Sequence, residues 1–318
     1  MLDGFKIGHF TDERKKTGVS VFLAERGAVG GVSVRGAAPA TRETDLLDPL
    51  KSVQEINAVV LSGGSAFGLE AASGVQQFLF EGGFGYNAGK YRVPIVVGAS
   101  VYDLEYGEFG FPDKQAGYEA AKAAASGNFS RGGIGAAAGA TISKALGMST
   151  AVKTSLGVQT YAMNGLEIAV FSVVNALGDV VENGKIIAGA MTEDGKPVGM
   201  RRVMTMSSVD PKPSNTTITC ILTNAVLNKV EANILADLAH DGYAEAISPV
   251  HTMFDGDAVF VMASGDKAVE FNMLTALIAP LTAKAIRSSV KEGAEPIAER
   301  VNPLLYSFFK RAWKSRKQ

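Results

Sequence analysis

Glycine is the residue whose distribution most constrains the fold of this chain. The 318 residues include 36 glycines, and many of these lie in five clusters, at 27–36, 63–68, 82–89, 107–117 and 127–139. Short β-branched runs, which begin at Gly18, Ala58, Pro94 and Ile168, alternate with the clusters. Short apolar runs bounded by glycine are typical of buried strands joined by tight turns. The pattern therefore predicts a core built on several buried strands.

Segments with helical spacing alternate with these runs. The spacing predicts helices over 65–80, 115–125, 229–240 and 274–290, and further strands over 217–223 and 258–262. One stripe of the third helix is predicted to be buried; it consists of Val230, Ile234, Leu235 and Leu238. Because the elements interleave without a linker or repeat, we predict a single α/β domain over residues 1–318. Helices layered over two stacked sheets are compatible with this order.

The composition excludes several classes of protein. Hydrophobic residues make up 47% of the chain and charged residues 20%, which excludes a disordered chain. The formal net charge is −1, so no global field attracts nucleic acid. The single cysteine, Cys220, excludes an intrachain disulfide, and the three histidines lack metal-ligand spacing. We therefore expect no nucleic-acid partner, no metal and no other cofactor.

The chain carries no signal for a membrane or for export. Its first residues lack the apolar core of a signal peptide, and no apolar run reaches the ~18 residues of a membrane span. We expect a soluble cytoplasmic protein.

The segment 301–318 differs in character from the rest of the chain. It contains five basic residues and no acidic one, and an apolar helical face could be formed by Leu304, Leu305, Phe308, Phe309 and Trp313. The favoured interpretation of this basic amphipathic tail is a helix that docks on its own or a neighbouring subunit. The alternative is a helix that binds a membrane surface or another partner.

Three short motifs permit a ligand site, but a simpler interpretation is favoured for each. The loop 62–68 follows a predicted strand and opens a helix, which is a geometry that can bind an anion; it lacks the Gly-Lys-Ser/Thr ending of a phosphate loop, so a tight turn is favoured. The glycines at 132–139 imitate a dinucleotide motif but follow a polar loop rather than a strand. Asp255-Gly256-Asp257 could bind a divalent cation, although a turn is the default for this sequence.

The sequence Asn215-Thr216-Thr217 lies where a polar, proline-bearing stretch enters a predicted strand. A loop that runs into a strand is the default interpretation. The alternative is an N-terminal nucleophile, because cleavage before Thr216 would free an α-amine beside the hydroxyl. With an ordinary pKa of about 7.7–8, that amine can act as the base for its own side chain at neutral pH.

Several ordered motifs resemble one enzyme family. They are the segments 35–49 and 61–69, the run 139–144 that ends at Lys144, Val174-Asn175-Ala176, Asn215-Thr216-Thr217, and Phe254-Asp255-Gly256-Asp257. Together they resemble the DmpA-type aminopeptidases, also called the L-aminopeptidase/D-esterase, P1 or S58 peptidase family. The similarity extends over about residues 6 to 290. The Asn-Thr junction is similar to that of the nylon-oligomer hydrolase branch.

This resemblance implies a fold and a maturation step. The fold would be a four-layer αββα sandwich, similar in layering to the Ntn hydrolases but with DmpA-type connectivity. The precursor would cut itself once, between Asn215 and Thr216, to give an α chain of residues 1–215 and a β chain of residues 216–318. The resemblance also implies a homo-oligomer of these αβ units.

The resemblance implies a role for each site residue as well. Thr216 matches the nucleophile, Lys144 and Asn175 match the residues that assist the nucleophile and the oxyanion, and Asp255 and Asp257 match the acidic pair. Tyr102 matches a tyrosine that contacts substrate. The residue types suit these roles, since an asparagine is a neutral oxyanion donor and a nearby ammonium lowers the pKa of an amine. Before cleavage, a deprotonated Lys144 or one of the two aspartates would have to act as base.

The predicted activity is the release of N-terminal residues from small peptides, amides or esters through an acyl-enzyme on Thr216. Three alternatives remain open. They are an endo-acting hydrolase of ω-amino-acid or unnatural amide oligomers, an acyltransferase that uses the same nucleophile, and an uncut binding protein.

Overall fold

The computed structural model describes residues 2–206 and 215–291. In chain order the strands are β1 (Lys6–Asp12), β2 (Thr17–Val34), β3 (Thr41–Arg42), β4 (Glu55–Ser62), β5 (Tyr86–Ala88), β6 (Tyr91–Val93), β7 (Val96–Ser100), β8 (Thr141–Ile142), β9 (Val152–Lys153), β10 (Leu156–Met163), β11 (Leu166–Asn175), β12 (Asp179–Glu182), β13 (Lys185–Ala188), β14 (Thr216–Ala225), β15 (Ile247–Ser248) and β16 (Ala258–Lys267). The α-helices are α1 (Ser65–Gly68), α2 (Ala71–Glu81), α3 (Lys114–Lys122), α4 (Met200–Met206), α5 (Lys229–Ala246) and α6 (Phe271–Lys291).

Nine strands form one large sheet, in the order β10-β11-β14-β16-β2-β4-β7-β3, with β1 paired to β2. The 18-residue β2 joins the two halves of this sheet. Its first part pairs with β1 and β4, and its last part, from Val29 to Val34, pairs with β16. The pairing with β4 shifts register between Leu23 and Ala28. One long strand thus belongs to both halves, and the sheet folds over on itself.

Three buried clusters define four layers. In the first, α5 and α6 pack on one face of β11, β14 and β16, with Val170, Ile221, Val261, Tyr243 and Ile286 among the members. In the second, the alternate residues of those strands meet β2, β4 and β7; its members include Phe171, Cys220, Phe260, Phe22, Val59 and Val97. In the third, the other face of β2 and β4 packs on α2 and α3, with Val21, Val60, Val75, Leu79 and Ala120. The protein is an αββα sandwich, as the resemblance implied.

The prediction for the buried face of α5 is wrong for two of its four residues. Val230 and Ile234 are 52% and 42% exposed, whereas Leu235 is buried and Leu238 packs partly buried against the same cluster. The buried face begins at Lys229 and continues through Ala232 and Leu235. The reason is a close approach between α5 and β2. A Cβ built on Gly31 would lie 2.4 Å from the carbonyl oxygen of Ala232, so the helix places Ala232 rather than a larger side chain against the sheet at this point.

The buried Lys229 is satisfied by backbone acceptors. Its Nζ donates hydrogen bonds to the carbonyl oxygens of Leu46, Lys51 and Val53, at 2.7, 3.1 and 2.9 Å. The first turn of α5 thereby holds the loop after β3 against the sandwich.

No helix in residues 2–206 and 215–291 is long and apolar enough to cross a membrane. The basic amphipathic tail, 301–318, lies outside the described residues, so its predicted helix stays a prediction.

Candidate active site

The strand order brings distant parts of the sequence to one end of the sheet. Asn175, the last residue of β11, lies directly opposite Thr216, the first residue of β14. Because β14 and β16 are parallel, the loop that precedes β16, with Asp255 and Asp257, reaches the same end. All four of these residues are buried. By the alternation of side chains along a strand, Asn175 and Thr216 point into the space between the two halves of the sheet, as Val173 and Ile218 do.

The carbonyl group of Asn215 is held by two hydrogen-bond donors. The Thr216 hydroxyl, one residue further on, donates to its oxygen, and the backbone N–H of Gly256 donates to the same oxygen at 2.9 Å. The Asn215 N–H donates to the carbonyl oxygen of Phe254 at 3.3 Å. The peptide group between Asn215 and Thr216 is therefore fixed on the Asp-Gly-Asp loop, with the hydroxyl beside the carbonyl.

Asn175 is oriented through both ends of its amide. Its Oδ1 accepts the Thr141 N–H at 3.0 Å, and its Nδ2 donates to the backbone carbonyl oxygen of Tyr102 at 2.9 Å. The Tyr102 hydroxyl has a different partner, since it donates to Glu105 at 3.0 Å. Tyr102 thus reaches the site through its backbone, while its ring lies at the partly exposed margin.

Lys144 enters the site from the loop after β8. Its Nζ donates to the backbone carbonyl oxygen of Asn175 at 3.0 Å. Burial lowers the pKa of the ammonium from 10.5 to about 7, although the negative charges of Asp255, Asp103 and Glu105 act in the opposite direction. A lysine with such a pKa is neutral in a large fraction of molecules at pH 7 and can accept a proton.

The two aspartates connect the loop 252–257 to β14. Asp255 accepts hydrogen bonds from the N–H and the hydroxyl of Thr252, at 2.9 and 2.5 Å. Burial, and then the nearby charge of Asp257, raise the pKa of Asp255 to about 6. Asp257 accepts the Thr217 N–H at 2.6 Å. Across residues 2–206 and 215–291, no three His, Cys, Asp or Glu side chains lie close enough to hold a metal ion.

The loop 62–68, which could have bound an anion, serves an internal carboxylate instead. Its Gly64 N–H donates to Asp103 at 2.7 Å, and the Thr17 hydroxyl donates to the other oxygen of that carboxylate at 2.7 Å. Burial raises the pKa of Asp103 to about 6. This arrangement agrees with the tight-turn interpretation. It also fixes Asp103, which is the residue directly after Tyr102.

Two contributors to the site make contacts that the sequence did not indicate. Gly256 belongs to the Asp-Gly-Asp motif, but it contacts the Asn215 carbonyl oxygen through its backbone N–H, which every residue except proline possesses, so the motif does not reveal this contact. His251 lies 2.7 Å from Asp257, through its Nδ1, yet in the sequence it is one of three scattered histidines.

Solved structures share this architecture. The L-aminopeptidase D-Ala-esterase/amidase from Ochrobactrum anthropi, which represents a variant of the Ntn hydrolase fold, superposes with a TM-score of 0.66 over 98% of this chain and 93% of its own, at 15% identity. A β-aminopeptidase from a Burkholderia species gives a TM-score of 0.63 over 99% of this chain and 92% of its own, at 17% identity. The fold is that of the Ntn-hydrolase-type aminopeptidases.

Sequence comparison makes the assignment specific. The model of peptidase family S58 matches residues 2–303. An uncharacterized aminopeptidase of Mycobacterium tuberculosis is 35% identical over 288 residues, which cover 84% of this chain and 81% of the relative. The 6-aminohexanoate-oligomer endohydrolase of Paenarthrobacter ureafaciens is 30% identical over 272 residues, or 83% of this chain and 74% of the relative. The chain belongs to peptidase family S58 and is a hydrolase of the aminopeptidase type.

Proposed function

We propose that this protein cuts its own chain between Asn215 and Thr216 and then hydrolyses small peptides, amides or esters with Thr216 as an N-terminal nucleophile. The observation that carries the proposal is the geometry of one peptide group. The Thr216 hydroxyl and the Gly256 N–H both contact the carbonyl oxygen of Asn215, and buried acid–base groups surround it.

Self-cleavage would proceed as an N-to-O acyl shift. The Thr216 oxygen attacks the Asn215 carbonyl carbon, and its proton passes to a base, for which neutral Lys144 is the candidate. The Gly256 N–H stabilises the oxyanion, and loss of one such donor typically lowers a rate by about 10²–10³. The C–N bond then breaks, the new α-amine takes up a proton, and an ester links Asn215 to the Thr216 oxygen. Water hydrolyses this ester to a carboxylate and a free hydroxyl.

Turnover would use the amine that cleavage releases. The α-amine of Thr216 accepts the proton of its own hydroxyl as the oxygen attacks the substrate carbonyl. Asn175 supplies a neutral donor to the oxyanion, and the protonated amine passes its proton to the leaving group. Lys144 and the pair formed by Asp255 and Asp257 set the charge around the amine. Water then releases the acyl group and regenerates Thr216.

The first choice of substrate is a compound with a free N-terminal amine, since the more similar of the two reported relatives is called an aminopeptidase. The second candidate, an endo-acting hydrolase of amide oligomers, is favoured by the endohydrolase relative and by the Asn-Thr junction. Paired substrates with a free and an acetylated amine separate the two activities. Loss of turnover on acetylation supports the first, and turnover of 6-aminohexanoate oligomers with a blocked end supports the second. An added amine acceptor that captures the acyl group would reveal acyl transfer.

An isosteric pair of variants tests the nucleophile. Thr216→Val removes the proposed nucleophile, whereas Thr217→Val removes a neighbouring buried hydroxyl for which the described residues offer no hydrogen-bond partner. We expect the Thr217 variant to yield a chain beginning at residue 216, and the Thr216 variant to stay whole and inactive. Intact mass and N-terminal sequencing are the measurements. Cleavage and amide hydrolysis by Thr216→Val would contradict the proposal.

We further propose that the cut chains assemble into a homo-oligomer of αβ units and act in the cytoplasm. Light scattering on the purified protein and fractionation of the source cells test these two points separately.

A further inference from the structure

A polar cluster lies behind the nucleophile strand, on the side that faces α5. Because side chains alternate along β14, Thr217 and Thr219 point away from the space that Thr216 enters. Asp257 lies on this rear side and connects it to the nucleophile. One carboxylate oxygen of Asp257 accepts a hydrogen bond from the Thr217 N–H at 2.6 Å. The other accepts two hydrogen bonds from His251, one from the ring Nδ1 at 2.7 Å and one from the backbone N–H at 3.2 Å.

The ring of His251 is itself held in place. It stacks on Tyr243, with centroids 5.7 Å apart and planes 24° apart, and meets the edge of His240 at 4.8 Å. The Tyr243 hydroxyl donates to Thr219 at 2.8 Å, so the surface against which His251 packs is anchored to the same strand. The chain from His251 through Asp257 to Thr217 therefore consists of two short contacts, of 2.7 and 2.6 Å, that connect a partly buried ring through a buried carboxylate to the strand.

Packing alone does not account for a histidine at this position. Its Nε2 is buried and finds no hydrogen-bond partner among residues 2–206 and 215–291, which is unfavourable for a polar atom. An apolar ring would fill the same space without that penalty. Within the described part of the chain, the polar contact of the ring is the one from Nδ1 to Asp257, and this contact is what a histidine adds over an apolar ring.

We propose that His251 is a positioning residue for the self-cleavage and hydrolysis described above. By fixing the carboxylate of Asp257, it fixes the Thr217 N–H and thereby the backbone from which the Thr216 hydroxyl is aimed. The inference rests on the proposed function and assigns to His251 no direct contact with substrate.

Two substitutions separate the hydrogen bond from the packing. His251→Phe keeps a ring beside Tyr243 but has no donor. His251→Asn loses the ring but places an amide Nδ2 where Nδ1 stood, and asparagine tolerates the left-handed backbone of this residue, whose φ is 54°. His9→Phe is the matched control, because His9 is a partly buried histidine of β1 whose Nδ1 lies 3.0 Å from the Ser20 hydroxyl rather than beside Asp257.

We expect His251→Phe to lose activity and His251→Asn to retain most of it. His251→Phe should slow cleavage and lower kcat by about 10-fold to 100-fold, as small misplacements of a reacting group do, with little change in KM. Its Thr217 amide should also exchange faster with solvent deuterium. His251→Asn should recover most of the rate and of the protection, and His9→Phe should stay within about threefold of the parent.

Contrary results are equally clear. Equal rates and equal Thr217 exchange in the parent and His251→Phe would overturn the inference, and so would equal losses in the Phe and Asn variants, since packing would then explain both. If the parent chain is never cut, the proposed function fails, but the amide-exchange comparison still decides whether His251 positions Thr217. If exchange of the Thr217 amide depends on the Nδ donor at position 251, the result supports the positioning role. If it does not depend on that donor, the result overturns the positioning role.

Discussion

At the scale of single residues, burial disfavours the charged forms of one lysine and two aspartates in the site. The pKa of Lys144 is lowered to about 7, and the pKa values of Asp103 and Asp255 are raised to about 6. Groups whose pKa lies near the working pH can both donate and accept a proton. The uncut chain, which has no α-amine at Thr216, therefore already holds groups that can move the protons of the proposed cleavage.

This leads to a prediction about pH. We expect the rate of self-cleavage to rise through a midpoint of about 7 and then to level off, because only neutral Lys144 can accept the proton of Thr216. Lys144→Met should remove this dependence and nearly all cleavage. The measurement is a cleavage time course on freshly synthesised chain at a series of pH values.

Lys153→Met provides the control, because Lys153 is also a largely buried lysine but donates to the Ala137 carbonyl oxygen rather than to Asn175. Its variant should keep the midpoint. An unchanged profile in Lys144→Met would exclude this lysine as base.

The lowered pKa of Lys144 also affects the stability of the fold. Between pH 7 and the ordinary lysine value of 10.5, the unfolded chain binds more protons at this residue than the folded chain, so the contribution of Lys144 to the free energy of unfolding rises with pH in that window.

At the scale of elements, helices reach the sheet and one another through glycine. Helices α2 and α3 cross where Gly74 and Gly117 face each other. A Cβ built on Gly117 would lie 1.8 Å from the carbonyl oxygen of Ala71, and one built on Gly74 would lie 1.8 Å from that of Lys114. The helix pair that covers β2 and β4 can pack at this distance only with glycine at both positions.

We expect Gly117→Ala to lower the free energy of unfolding by about 1–3 kcal/mol, which is the usual range for overpacking a buried contact. The added methyl group meets backbone atoms, which cannot rotate away. Gly133→Ala is the matched control, because the nearest atom to its Cβ would be Lys153 Nζ at 3.8 Å. Urea unfolding of the uncut Thr216→Val background measures both variants under identical conditions. Equal stability of the two would show that the helices can separate at no cost.

The sequence predicts the elements of this protein better than it predicts their faces. Short apolar runs identify β4, β11 and β14, because a buried strand needs little besides β-branched residues and flanking turns. The buried face of α5 could not be inferred, since it depends on Gly31 in a distant strand. The residues proposed for catalysis follow from ordered motifs. The contact of the Gly256 N–H and the link through His251 do not follow from them, although Gly256 lies in one of the motifs, because both depend on three-dimensional contacts that residue identity alone does not record.

At the scale of the whole molecule, the proposed cut falls inside the sandwich rather than between two parts of it. Residues 1–215 would supply β1 to β13 with α1 to α4, and residues 216–318 would supply β14 to β16 with α5 and α6. In the large sheet, β14 and β16 lie between β11 and β2. Strands of the second chain would thus be flanked on both sides by strands of the first, with main-chain hydrogen bonds along each boundary.

We therefore expect the two chains to stay together after cleavage. They should elute as one species from a sizing column in native buffer, at the same volume as the uncut Thr216→Val protein, and should separate only in concentrated guanidinium. The physical reason is that separation would expose the inter-sheet core, including Phe171 and Phe260, and would leave the facing edges of β11 and β2 without partners, which is unfavourable for backbone groups. For the same reason neither isolated chain should regain the native circular dichroism spectrum alone, whereas the two refolded together should regain it. Separate elution of the two chains in native buffer would contradict both the proposed position of the cut and the role of β14 as an interior strand.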